Sequence, residues 1–394
     1  MPWKEWNRME ERRQFVHAIM EEHRSIKEVC TEYGISRKTG YKWLDRFESG
    51  GYSGLMDQSR RPATAPHQLE ESVVCDLIKE KLVHATWGPK KIRELYSRTH
   101  RGAIPSLSSV NRIFRKAGLV KRRRIRVHSG GHLTSSIQVE APNDIWTIDF
   151  KGWWYTTDHN RFEPFTVRDA YSRYVLEARA LKDNTTETVK AAFIRLFRQY
   201  GLPKVIQSDN GVPFAARSGI LGMSQLTAWL ISLGIYIHHS RPGHPQDNGG
   251  HERMHKDLKD EVQVRYSGNT HKFQSELDIW RHEFNTVRPH EAIDMKTPSQ
   301  VYRNSLRRYR DKDCEVEYPI SYQVRAVSTS GMISVQGFSI FLSTALRNFR
   351  VGLKTLDSSK YAVYFATVFL GTIDLSVLTF VPYQNETFKC NENR

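Results

Sequence analysis

Three carboxylates stand where carboxylates are uncommon. Asp149 interrupts the largely apolar run Trp146-Thr147-Ile148-Asp149-Phe150. Asp209 follows the short apolar pair Val205-Ile206, within Ser208-Asp209-Asn210-Gly211, and Glu252 comes just after Asn248-Gly249-Gly250. Charged side chains are seldom buried unless they are paired or sit on a metal. A hard divalent cation such as Mg²⁺ takes few protein carboxylates and leaves positions for phosphate oxygens. Two such ions can hold the attacking and leaving oxygens of an in-line phosphoryl displacement. Taken singly, Asp209-Asn210-Gly211 is also ordinary turn chemistry. A second chemistry overlaps the first. His251-Glu252-Arg253-Met254-His255 spells H-E-x-x-H, in which His251 and His255 would ligate zinc, Glu252 would act as general base and Glu276 is a candidate third ligand. That zinc-metalloprotease reading gives no role to Asp149, Asp209 or the charge of the chain.

The surrounding pattern is that of an α/β layer. Trp146 to Phe150, Phe162 to Val167 and Tyr174 to Leu181 read as three strands. Asn184-Thr185-Thr186-Glu187 has the form of a capping box, and Val189, Ala192, Phe193, Leu196, Phe197 and Tyr200 form an apolar helical stripe that Gly201-Leu202-Pro203 ends. Val205-Ile206 is a short strand, 226–233 a helix, 235–238 a strand and 246–262 a helix. This order predicts a mixed sheet, with Asp209 at the carboxyl end of a strand, where open α/β sheets place ligands.

Ahead of this layer lie two helical units. Thr31-Glu32-Tyr33-Gly34-Ile35-Ser36 places a glycine in the turn and a serine at the start of a helix carrying Arg37, Lys38, Lys42 and Arg46. Tyr41, Trp43, Leu44 and Phe47 are available for its core. The layout is a helix-turn-helix, whose second helix enters the major groove. A similar unit spans 69–119, with Ser108, Asn111 and Arg112 on its last helix. Ser59-Arg60-Arg61-Pro62 and Lys121-Arg122-Arg123-Arg124 are basic connections suited to a phosphate backbone. Beyond about residue 310 short β runs (332–335, 339–342, 349–354 and 361–369) alternate with turns and predict a small barrel or sandwich.

Composition agrees with a nucleic-acid partner. Lys+Arg is 59 against 43 Asp+Glu, a formal charge of +16, and such a surplus commonly faces a polyanion. The 39% hydrophobic content is enough for real cores and excludes a wholly disordered chain. Cys30, Cys75, Cys314 and Cys390 form no C-x-x-C pair, so neither a cysteine zinc site nor a disulfide framework is expected. Met1 to Glu11 is charged, so no signal peptide is expected, and the apolar stretch 361–373 is too short to span a bilayer. The expectation is a soluble intracellular protein.

Four ordered motifs carry a resemblance. They are Trp146-Thr147-Ile148-Asp149-Phe150; Ser208-Asp209-Asn210-Gly211; the segment from Arg241-Pro242 to Glu252-Arg253; and Phe284-Asn285-Thr286-Val287-Arg288-Pro289-His290-Glu291-Ala292 with Thr297-Pro298. In these the stretch 143–303 resembles the catalytic core of DDE transposases of bacterial insertion sequences, relatives of retroviral integrases. The two helical units and the β-rich end are similar to that family as well. The resemblance implies a multidomain chain: a first helix-turn-helix domain and linker (1–62), a second helix-turn-helix domain (63–125), a basic linker (126–142), an RNase H-like core (143–305) and a small SH3-like β-barrel (306–394). It implies Asp149, Asp209 and Glu252 as the catalytic, metal-binding triad, with two Mg²⁺ or Mn²⁺ per active site. Double-stranded DNA would be bound through Arg37, Lys38, Lys42, Arg60, Arg61, Ser108, Asn111, Arg112, Arg122, Arg123 and Arg124. Lys256 and Lys259, one and two turns beyond Glu252, would hold a DNA end. The implied activity is 3′-end cleavage and strand transfer by at least a dimer, acting on element ends and target DNA in a bacterial cytoplasm, at the nucleoid and not at a membrane. A DNA-binding regulator with a silent core is the alternative, though all three carboxylates are present. One departure is the gap of 43 positions between Asp209 and Glu252, longer than usual for these elements; the surplus is assigned to Ala215 to Ser224.

Overall fold

The computed structural model describes residues 8–59, 69–120, 139–209, 211–216, 219–241, 248–263, 269–311 and 315–383. The chain divides into two compact units, Met1–Leu69 and Glu70–Arg394.

The first unit is three helices, α1 (Arg8–Met20), α2 (Ile26–Glu32) and α3 (Arg37–Gly54). Phe15, Val16, Val29, Trp43 and Leu55 close its core. Gly34 turns the chain between α2 and α3 at φ +63°, a left-handed conformation that strains residues bearing a Cβ. Ser36 then accepts a hydrogen bond from the Thr39 N–H at 3.2 Å and caps α3. Arg12 lies 4.0 Å over the Trp43 ring and donates to the Leu55 carbonyl at 2.7 Å. Tyr41, available to the core by composition, is exposed instead, because the helical period turns Gly40 and Trp43 inward.

The second unit opens with α4 (Glu71–Val83), α5 (Pro89–Thr99) and α6 (Leu107–Lys116), packed around Leu77, Trp87, Ile92, Tyr96, Val110 and Phe114. Ser106 caps α6 through the Ser109 N–H at 3.2 Å. The central sheet comprises β1 (Ile145–Phe150), β2 (Trp154–Tyr155), β3 (Arg161–Asp169), β4 (Val175–Leu181), β5 (Val205–Ser208) and β6 (Tyr236–His239). Its order is β2-β3-β1-β5-β6, with β4 also on β3. The β1–β3 and β3–β4 pairs are antiparallel, while β1–β5 and β5–β6 are parallel. This is the mixed sheet that the order of elements predicts.

Period-two alternation divides β1 between the two faces of the sheet. Trp146 and Ile148 join Phe165, Phe193, Phe197 and Leu226 under α7 (Thr186–Tyr200) and α8 (Gln225–Ser232). Thr147 and Asp149 face the other layer, α9 (Gly249–Leu258) and α10 (Thr270–Thr286), whose Met254, Leu258, Phe273 and Trp280 form a separate core with Phe162 and Val175. The helix expected over 246–262 begins at Gly249 among the described residues and ends as a π-turn, Lys259–Gln263. A short helix, α11 (Pro298–Val301), completes the core.

The C-terminal region is antiparallel. It holds β7 (Gln323–Ala326), β8 (Met332–Val335), β9 (Phe338–Phe341), β10 (Arg350–Thr355), β11 (Lys360–Phe365), β12 (Val368–Asp374) and β13 (Thr379–Pro382). The expected barrel is not closed among the described residues. The five-stranded sheet β13-β12-β11-β10-β7 keeps two edges, and the β8–β9 hairpin packs beside both without joining the ladder. The run 361–369, read as one strand, is the hairpin β11–β12, turned at Ala366 with φ +52°. The surplus residues between Asp209 and Glu252 also have a place. Ala215 bridges to Met223, and Ile220, Leu221 and Met223 pack into the C-terminal core. The longer loop thus anchors the β domain to the central layer. Among the described residues no helix is long and apolar enough to cross a membrane.

Candidate active site

Each of the three carboxylates comes from a different element. Asp149 is the last residue but one of β1, on the α9 side and opposite Thr166 of β3. Asp209 follows β5, where its Oδ1 accepts from the Gly211 N–H at 3.1 Å. His239 Nδ1 lies 3.2 Å from the Asp209 carbonyl oxygen and ties the end of β6 to that turn. Glu252 projects from the first turn of α9 into solvent.

Electrostatics links them. The Asp149 carboxyl is pushed up to about 7, chiefly by burial, then by the negative charge of Asp209, with Glu252 adding in the same direction. The Phe150 N–H and the Lys151 charge only partly offset this. Among the described residues no group of three or more His, Cys, Asp or Glu side chains is placed to hold a metal ion. Asp149 is half-buried, and Asp209 and Glu252 are exposed.

The two histidines of the H-E-x-x-H sequence face the opposite way from Glu252. His251 is fully buried, with Nδ1 2.9 Å from Thr147 Oγ1 and Nε2 2.7 Å from Thr166 Oγ1. His255 places Nε2 2.7 Å from the same Thr166 hydroxyl, and its Nδ1 stands 3.6 Å from Asp149 Oδ2. Burial is the first cause lowering both histidines, His251 well below the usual range and His255 to about 3; neighbouring positive charges add to it. Their nitrogens are spent on β1 and β3, while Glu252 points away and Glu276 lies exposed on α10 beside Thr86 and Trp87. A zinc-protease site is therefore not assembled.

The DNA-contact candidates lie on outer faces. Arg37, Lys38 and Lys42 are exposed on α3; Ser108 and Arg112 are exposed on α6, with Asn111 half-buried. Lys256 and Lys259 share the solvent side of α9 and its π-turn with Glu252, while His251, Met254, His255 and Leu258 face inward. Arg60, Arg61, Arg122, Arg123 and Arg124 lie outside the described residues.

Sequence reasoning missed the network behind the site. Thr147 and Thr166 are polar residues at inward strand positions, a pattern the alternation exposes but does not interpret. It also missed Arg288, which is 2% exposed and pairs with Asp257 at 2.6 Å and Glu261 at 2.9 Å, on α9 and its π-turn. The Arg288 guanidinium lies 5.6 Å from the Trp87 ring and so joins the second helical unit to the core. His84 with Glu283 at 2.9 Å, and the contacts Thr86–Glu261 and Lys90–Glu291, extend that joint. Burial and the Arg288 charge lower Lys91 to about 8 there.

Comparison with known proteins gives a consistent set of matches. Residues 139–245 and 233–298 match models of an integrase core domain. Residues 11–63 match a helix-turn-helix domain and 39–114 a homeodomain-like domain. The chain is 25% identical over 244 residues to the insertion element IS407 uncharacterized 31.7 kDa protein of Burkholderia multivorans, covering 60% of this chain and 82% of that one. It is 25% identical over 261 residues to the insertion element IS476 uncharacterized 39.2 kDa protein of Xanthomonas euvesicatoria, covering 64% and 70%. Among solved structures, the HTLV-2 integrase catalytic core domain in complex with magnesium aligns at 17% identity and a TM-score of 0.33, covering 41% of this chain and 98% of that chain.

Proposed function

We propose that this chain, which carries an integrase core behind helix-turn-helix domains and is similar to insertion-element proteins, is a DNA transposase that cuts the 3′ ends of its element and joins them to target DNA. The observation that carries this reading is that Asp149, half-buried near the end of a central strand, is raised by the negative charges of Asp209 and Glu252, which come from two other elements. A cation would relieve these like charges, and an all-carboxylate oxygen set suits Mg²⁺ or Mn²⁺ rather than a softer metal.

The residues would divide the work by position. Asp149 is the rigid member, fixed on a central strand; Asp209 and Glu252 approach from a turn and a helix. A bound divalent cation would lower the pKa of water and polarise the phosphoryl oxygen. Lys256 and Lys259, on the same side of α9 as Glu252, would hold the DNA backbone beside the carboxylates. Arg37, Lys38 and Lys42 on α3, and Ser108, Asn111 and Arg112 on α6, would read the terminal repeats, with the basic segments around Arg60, Arg61 and Arg122 to Arg124 on phosphates. No side chain is required as a covalent nucleophile. Pairing two ends with one target requires at least a dimer on DNA.

The test is an end-cleavage assay on a labelled duplex carrying the element's own terminus, with Mg²⁺ or Mn²⁺. A nick at the 3′ end that disappears in Asp149→Asn, Asp209→Asn and Glu252→Gln, with terminus binding retained, supports the reading. Tight, specific binding without cleavage in either metal would favour the regulator instead.

A further inference from the structure

The two histidines of the H-E-x-x-H sequence hold the rear of the carboxylate site, and their hydrogen bonds can be ordered atom by atom. Four heteroatom contacts join Thr147, His251, Thr166 and His255 to Asp149: Thr147 Oγ1 to His251 Nδ1 at 2.9 Å, His251 Nε2 to Thr166 Oγ1 at 2.7 Å, Thr166 Oγ1 to His255 Nε2 at 2.7 Å, and His255 Nδ1 to Asp149 Oδ2 at 3.6 Å. A neutral imidazole has one donor and one acceptor, and a threonine hydroxyl donates once and accepts twice. Three orders satisfy the Thr166 hydroxyl. In one, it donates to the Asp149 backbone carbonyl at 3.0 Å and both histidines donate to it. In another, it donates to His251 and accepts from His255, while His251 donates to Thr147, whose hydroxyl donates to the Arg168 carbonyl at 3.3 Å. Both leave the bare Nδ1 lone pair of His255 facing a carboxylate oxygen. In the third, the Thr147 hydroxyl donates to His251, His251 to Thr166, Thr166 to His255, and the remaining Nδ1–H of His255 faces Asp149. Only the third puts a donor opposite the ionised Asp149, the form that a cation would hold.

We propose that Thr147, His251, Thr166 and His255 form one directional chain of hydrogen bonds whose last Nδ1–H faces Asp149, and that His255 is a positioning residue for that carboxylate. This rests on the transposase reading for its purpose, though not for its geometry. The 3.6 Å approach is too long for a hydrogen bond, so the last link is an electrostatic contact of the Nδ1–H with the carboxylate. With Oδ2 facing His255, Asp149 keeps Oδ1 for a cation. Outer partners of this kind orient metal-binding side chains and typically change metal affinity by about 10–100-fold when removed. Both histidines lie on the inner face of α9, so the chain also fixes the height of Glu252 on that helix relative to β1.

The chain predicts opposite tautomers, His251 protonated on Nε2 and His255 on Nδ1, which ¹⁵N-imidazole NMR of the full-length protein reads directly. The second measurement is the Mn²⁺ concentration giving half of the metal's thermal stabilisation, for the unaltered protein, Thr166→Val, His255→Leu and His255→Asn. Thr166→Val keeps the buried shape and removes the link; it and His255→Leu should each need about tenfold more Mn²⁺. His255→Asn, which retains a donor, should recover part of the loss. His255 protonated on Nε2, or an unchanged Mn²⁺ requirement in Thr166→Val, overturns the proposal. If Mn²⁺ fails to stabilise the unaltered protein, the proposed function falls, and the tautomers still decide whether the chain exists.

Discussion

At Asp149, burial and neighbouring charge act in the same direction. Its folded-state value of about 7 lies above the ordinary carboxylate value of about 4 that it regains on unfolding. The stability it contributes is therefore complete below about pH 4 and is lost as pH rises through about 7. Above that the ionised carboxylate costs the metal-free protein at most about 4 kcal/mol, the equivalent of the shift. Asp149→Asn in chelator should accordingly melt higher than the unaltered protein at pH 8, with the difference vanishing near pH 4. Mg²⁺ or Mn²⁺ should raise the melting temperature of the unaltered protein at pH 8 and leave that of Asp149→Asn nearly unchanged. Equal melting of the two proteins at pH 8 would show that Asp149 is not under electrostatic load. The carboxylates themselves were legible because each stands out of pattern. The threonines and histidines behind them were not, because a buried hydrogen-bond partner carries no periodic signal and H-E-x-x-H suggests a different chemistry by spacing alone.

Among the elements, α9 does the most varied work. Its outer side carries Glu252 and Lys256, its inner side His251 and His255, and its far end holds Asp257, which pairs with Arg288 at 2.6 Å. Arg288→Ala would leave two acids, Asp257 and Glu261, without their buried cation, a loss of about 3–5 kcal/mol. Chemical denaturation should show that loss, and end cleavage should fall with it, because the same residue ties the second helical unit to the helix bearing Glu252. In α3 the limit is steric. A Cβ at Gly40 would lie 2.5 Å from Cys30 Sγ, so Gly40→Ala should destabilise the first unit by about 1–3 kcal/mol and weaken DNA binding without touching Arg37, Lys38 or Lys42. The strands β1, β3, β4, β5 and β6 and the helices α7, α8 and α9 were readable because alternation and capping residues mark them, whereas α10, which supplies Phe273 and Trp280 to the second core layer, was not read. The hairpin strand Trp154–Tyr155 was not, since two residues give no period. The split of 361–369 was not either, since Ala366 at positive φ has no sequence signature.

For the molecule as a whole, the formal charge of +16 sets how DNA binding should respond to salt. Each phosphate neutralised releases counterions, so affinity should fall steeply on a log–log salt plot, and removing Lys256 or Lys259 should each reduce the slope by about one. A flat response would mean that the positive charge serves something other than DNA. The order of parts along the chain was visible in composition and motif. How the second helical unit and the β domain are fixed to the core was not, because Trp87 over Arg288 and Met223 in the C-terminal core are long-range contacts.

The central claim is that three carboxylates support phosphoryl transfer on DNA. The most direct measurement uses the full-length protein, a labelled duplex of the element's terminus already cut to a free 3′-OH, and a target plasmid, with Mg²⁺ or Mn²⁺. The account predicts joined products whose new bond links that 3′-OH to target DNA, in the unaltered protein and in none of Asp149→Asn, Asp209→Asn or Glu252→Gln. Joining that persists in Asp149→Asn, or specific binding of the cut end with no joining in either metal, would contradict it.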